Sequence, residues 1–201
     1  MSVVSANNNA LSAITALPDS ISGGALNLIS TQTASNSTSL SFTTGIDSTY
    51  KEYIFKLINI HPATDEAQFT FQASANGGSS YGIALTSSTF AAINYEDESS
   101  ATLAYRNGDD LAQSTSYHRI LHGIGNGNDE SGTGTLEIFE PSSTTFVKHF
   151  KSSTSNYMSG SAANNYFSAG YFNTTSALNA FDFKFHSGNI DSGVIKLYGV
   201  S

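Results

Sequence analysis

The sequence predicts an all-β protein: an antiparallel β-sandwich of jelly-roll-like topology, with a short N-terminal arm or helix. Three observations lead there. Apolar and polar residues alternate with a period of two through most of the chain. Ser, Thr, Asn and Gly supply 87 of the 201 residues, which are the turn formers that separate short strands. The 13 Phe and 10 Tyr suit a pleated, half-buried surface and are too many for a disordered chain.

The elements follow in order. Residues 1–24 read as an arm that orders on a partner, the plainer alternative being a frayed N-terminus: Asn7, Asn8 and Asn9 offer N-caps, and Leu11, Ile14 and Leu17 recur at helical spacing before Pro18. Two helical turns do not stand alone in water, so these apolar residues are expected to need cover from a partner or neighbouring subunit. Gly23 and Gly24 form a hinge, and residues 25–201 form one domain. Leu26, Leu28 and Ala34 mark a first strand, and Leu40 and Phe42 a short second one.

Tyr50–His61 is the long opening strand. Tyr53, Phe55 and Leu57 alternate onto one face, while Ile54, Ile58 and Ile60 fall on the other with Glu52 and Lys56. The loop PATDEA leads, by hairpin or corner, into Ala67, Phe69, Phe71 and Ala73, which alternate with polar residues.

The stretch 82–112 gives only short pieces, around Ile83–Leu85, Phe90–Ile93 and Leu103–Tyr105. Ser116–Ile124 is a strand, and Leu136–Phe139 with Phe146–Phe150 is a hairpin around EPSSTT. Tyr166–Phe172 comes next. Phe181, Phe183 and Phe185 then alternate with Asp182, Lys184 and His186, and GVIKLYGV closes the chain. The expected core is Tyr53, Phe55, Leu57, Phe69, Phe71, Phe181, Phe183 and Phe185. Roughly nine to eleven strands result, with no heptads and no repeat of fixed period.

Composition narrows the function. The net charge is −8 and the eight basic residues are scattered, which argues against nucleic acid and anionic membrane as partners. Without cysteine there is neither a disulfide framework nor a thiolate metal site. The segment MSVVSANNNALSAITALP has no basic region and no long apolar core, so synthesis in the cytoplasm without general export is expected.

Four features invite a chemical reading, and each has a plainer one. Gly78-Ser79-Ser80-Tyr81-Gly82 matches G-x-S-x-G, but no amphipathic helix follows to build a nucleophile elbow. His118 and His122 share a strand face without a third ligand nearby, so half-exposed strand histidines are expected instead of a metal pair. The acidic stretches 96–98, 109–110 and 129–130 offer oxygens for Ca²⁺ but lack EF-hand spacing, so solvated loops are expected. Tyr157, Tyr166 and Tyr171, in a stretch rich in Asn and Ser, are candidates for stacking on a glycan or for sheet-edge and subunit packing. Catalytic residues, cofactors and metals are thus expected to be none. The sequons at Asn36 and Asn173 are those a Ser/Thr-rich chain carries by chance.

Four segments in order, ALNLISTQTAS at 25–35, GIDSTYKEYIFKLINIHPAT at 45–64, FTFQASANGGSSYG at 69–82 and GVIKLYGVS at 193–201, resemble a family of structural proteins of tailed bacteriophages, mostly aquatic phages. The likeness runs from about residue 10 onward and is strongest at 45–64 and the C-terminus. It implies a non-enzymatic virion component, a capsid decoration or tail-fibre protein, and it carries over no catalytic residue. An exterior homo-oligomer, most simply a trimer, would meet other capsid or tail proteins. Leu11, Ile14, Leu17, Ile54, Ile58 and Ile60 are its assembly candidates. A host glycan, met through Tyr157, Tyr166 or Tyr171, is the alternative ligand.

Overall fold

The computed structural model describes residues 25–201. The arm at 1–24, with Leu11, Ile14 and Leu17, lies outside the described residues. Twelve strands are present among those described: β1 (Leu26–Ser37), β2 (Leu40–Phe42), β3 (Glu52–Pro62), β4 (Ala67–Ser74), β5 (Leu85–Tyr95), β6 (Ala101–Tyr105), β7 (His118–Ile124), β8 (Gly132–Phe139), β9 (Lys148–Met158), β10 (Ala162–Phe172), β11 (Ala180–Phe185) and β12 (Ile190–Val200). Every pairing is antiparallel. The all-β antiparallel class is therefore as the sequence predicts.

The architecture is one curled sheet. Its main path runs β1-β12-β3-β8-β9-β7-β4-β11-β2. The path bends until β2 returns beside β1, where the Gln32 side-chain amide donates to the Ser41 carbonyl at 2.6 Å. The result is a nearly closed barrel instead of the two separate sheets of a jelly roll. From β9 a second path, β10-β5-β6, leaves the barrel as a wing. The expected turn after β3 proves to be a corner, because β3 pairs with β12 and β8 while β4 pairs with β11 and β7.

Phenylalanines fill the barrel. Phe183 sits at their centre, 5.0 Å from Phe55 and 6.1 Å from Phe69 between ring centroids, and Phe71 meets Phe150 edge-on at 5.2 Å. All eight residues of the expected core are buried. Each such side chain contributes about 2–3 kcal/mol of burial.

The join between β9 and β7 differs from the other pairings. Only Ile124 and Met158 pair there. Elsewhere along this seam side chains replace the ladder. Thr154 donates to the Ile120 carbonyl at 2.5 Å, and the Asn156 and Asn164 amides donate to the His122 carbonyl at 3.1 and 3.3 Å. Buried backbone carbonyls need partners, and this need accounts for Thr154, Asn156 and Asn164 on the inner faces of β9 and β10.

One expectation about β3 is corrected. Ile54 and Ile58 lie on its outer face, but Ile60 is fully buried in the core. The register slips between Leu57 and Ile60, where Asn59 adopts a left-handed φ of 49°. This extra residue is a β-bulge, and it turns Ile60 from the outer face to the inner one. Gly193 of β12 lies against the bulge: a Cβ there would come within 2.8 Å of the Asn59 carbonyl oxygen.

Candidate functional site

The wing ends in an open edge. β5 and β6 pair through residues 90–94 and 101–105, and the flanking bonds Arg106 N–H to Thr89 O (2.9 Å) and Tyr95 N–H to Ser100 O (3.1 Å) fix their phase. Even-numbered residues of β6 thus turn their backbone groups to β5. Ala101, Leu103 and Tyr105 turn theirs outward. All five residues of β6 are exposed. The strand carries no lysine, proline or bulge, the devices that usually blunt an edge.

The outer face beside this edge is apolar. Leu103 is 74% exposed, Tyr105 53% and Phe90 46%. Phe90 stacks on Phe167 of β10 at 5.1 Å and 18°. Tyr105 keeps a polar tether, its hydroxyl donating to Asp110 at 2.7 Å.

Beneath the wing a charge cluster fixes the loop that follows β6. Asp109 is buried, with its carboxylate 2.5 Å from the Arg119 guanidinium, 3.3 Å from Arg106 and 3.2 Å from His122 Nδ1. Arg119 also donates to the Gly108 carbonyl at 2.6 Å. Burial opposes ionisation of Asp109, but the hydrogen bond and charge of His122, with the bonds from Arg119 and Arg106, outweigh it and hold the carboxyl far below the usual carboxylate range. Tyr166 stacks on the His122 ring at 6.2 Å and 14°.

The sequence candidates fall in scattered places. Tyr166 is fully buried, because even-numbered positions of β10 face inward; it presents no ring to a sugar. Tyr157 and Tyr171 are half-buried. Tyr171 and His149, with ring centroids 6.1 Å apart, border a shallow groove of about 410 Å³ that Thr86, Ser88 and Ala169 also line. Ser80 lies in a loop, where its hydroxyl accepts from the Asn76 side-chain amide at 2.9 Å. His118 is walled in by Phe71 and Phe150, away from the solvent a half-exposed strand histidine would meet.

Of the acidic stretches, 96–98 is the exposed β5–β6 turn, whereas Asp109 is buried and paired instead of solvated. Glu130 folds back to accept from the Gly127 N–H at 2.5 Å. Among the described residues no group of three or more His, Cys, Asp or Glu is arranged to hold a metal ion. The sequence pattern marks Phe90–Ile93 and Leu103–Tyr105 only as short pieces and 109–110 only as a solvated loop; nothing in it joins Phe90 to Phe167, or Asp109 to Arg119 and His122. No family model matches the chain, and no curated protein and no solved structure matches it.

Proposed function

We propose that the protein is a non-enzymatic structural component that works by assembling through its outer surfaces, as an exterior homo-oligomeric part of a phage particle in capsid decoration or a tail fibre. The observation that carries the assembly reading is the unprotected β6 edge with its apolar outer face. Exposed edges of this kind favour pairing with another chain, and contiguous exposed apolar surface marks interaction sites. A second apolar row supports the same reading: Leu28, Tyr198 and Ile54 stand side by side across β1, β12 and β3. The phage context rests on the segment resemblance. Mass spectrometry of purified particles from a phage encoding this chain tests it: the protein is expected in the particle and lost from it when residues 1–24 are deleted. Its absence from particles refutes the proposal.

The groove at Tyr171 favours a second reading, a glycan-binding module. An aromatic ring beside hydroxyls suits a sugar's apolar face and its rim. On a glycan array, binding lost in Tyr171→Ala with folding intact supports this reading, and no binding by the wild type removes it.

A further inference from the structure

We propose that β6 is a homotypic contact: two copies join edge to edge, antiparallel, about a two-fold axis through Leu103. This rests on the assembly reading above and specifies one contact within it. The outward backbone groups of Ala101, Leu103 and Tyr105 recur every second residue, so an identical strand run in the opposite direction meets them donor to acceptor. Centring the pair on Leu103 aligns all five residues. Ala101 then faces Tyr105 of the second copy, Leu103 faces its equivalent, and Thr102 faces Ala104. Each large side chain has a small one opposite, or its own kind on the axis.

Charge selects the same direction. The acidic turn Glu96-Asp97-Glu98 precedes β6 and Arg106 follows it. Antiparallel pairing puts the two acidic turns at opposite ends of the joint strand pair, while Arg106 stays engaged by Asp109 of its own copy. Parallel pairing would set the two acidic turns together.

The exposed area is small. The exposed parts of Leu103, Tyr105 and Phe90 supply roughly 300 Å² per copy, against about 800 Å² per partner in a standard interface. The contact is therefore a weak one, below the size of a standard interface, and area alone fixes no dissociation constant for it.

The absence of native cysteine makes a direct test available. In the proposed register the Leu103 Cα atoms lie about 5.5 Å apart, inside the range a disulfide spans. The full chain carrying Leu103→Cys is oxidised at low micromolar concentration beside Phe146→Cys, which places an exposed thiol on the β8–β9 loop. Sedimentation of the wild type and Leu103→Lys runs from about 5 to roughly 500 μM, the range in which weak association is populated.

The expected result is a covalent dimer for Leu103→Cys at least tenfold faster than for Phe146→Cys. Wild-type association should weaken at least tenfold in Leu103→Lys, with circular dichroism unchanged. If the wild type associates but neither Leu103 variant behaves this way, the edge contact is overturned while the assembly reading stands. A wild type that stays monomeric to the highest concentration, with no preferential crosslink, overturns the contact outright. Normal particle incorporation of a dissociated Leu103→Lys would show that the contact forms without serving assembly.

Discussion

Replacing His118 with leucine should flatten the acid dependence of stability. His118 is fully buried, with the Phe71 ring 5.8 Å away and the Phe150 ring 5.4 Å away. Its one polar contact among the described residues is the Ser87 hydroxyl, 3.4 Å from Nδ1. Burial lowers its pKa from 6.5 to about 4; the charges of Asp109 and Asp110 oppose this, and that of Arg119 adds to it. A difference of that size corresponds to roughly 3 kcal/mol. The folded state then resists a proton that the unfolded chain accepts. Above pH 6.5 neither state binds it and the residue contributes no pH dependence. Between pH 6.5 and 4 the unfolded chain holds up to one more proton, so stability falls with falling pH by as much as about 1.4 kcal/mol per unit.

Urea unfolding of the wild type and His118→Leu from pH 7 to 4.5 measures the difference. The two proteins should lie within about 1.5 kcal/mol of each other at pH 7. At pH 4.5 the variant should have gained roughly 2–3 kcal/mol relative to the wild type. Parallel curves over that range, or a native His118 that titrates near 6.5 by NMR, would refute the reasoning.

Other predictions concern the cluster and the bulge. Asp109→Asn leaves two arginines without their carboxylate, and because they are 30% and 35% exposed water recovers part of the loss; a destabilisation of about 2–3 kcal/mol at pH 7 is expected by urea unfolding. Because the folded Asp109 carboxyl is held low, its contribution is complete above about pH 4 and lost as pH falls further, so this variant and the wild type should converge in acid. Ile60→Ala should cost about 2–5 kcal/mol in thermal or urea unfolding, whereas Ile58→Ala should cost under about 1 kcal/mol; equal costs would contradict the bulge. Gly193→Ala should destabilise by about 1–3 kcal/mol, since it adds a Cβ against Asn59 at a φ of 131°; an unchanged denaturation midpoint would count against the close approach.

The parts of the fold that the sequence made legible are those where one face is clean. Phe181, Phe183 and Phe185 against Asp182 and Lys184 can only be read one way, and Phe69 and Phe71 likewise. The bulge at Asn59 was hidden because period-two reasoning has no term for an inserted residue, and a single insertion reverses every later assignment. β5 was hard to see as one eleven-residue strand because its inner face carries Ser87, Thr89 and Ala91, small or polar residues that lie over the wing's polar underside. Asp109 resembled a solvated loop charge. Arg106 stands three residues before it, but Arg119 and His122 reach it from β7, a proximity that only the tertiary fold creates. Tyr166 shows the same limit: Asn164, two residues before it, is polar because its side chain serves the seam, so polarity there did not mean exposure.

The seam between β9 and β7 has a consequence for how this fold comes apart. An ordinary ladder is closed by backbone groups that every sequence shares, and its strength varies little with substitution. Here closure depends on the side chains of Thr154, Asn156 and Asn164 reaching the Ile120 and His122 carbonyls. The join works like a row of latches, each removable by one change that leaves both strands intact. Loosening it would weaken the join between the β7-β4-β11-β2 leaf and the wing-bearing leaf, which the Asp109 cluster and the shared phenylalanine core also hold, giving the molecule a line of opening whose stiffness these three residues tune.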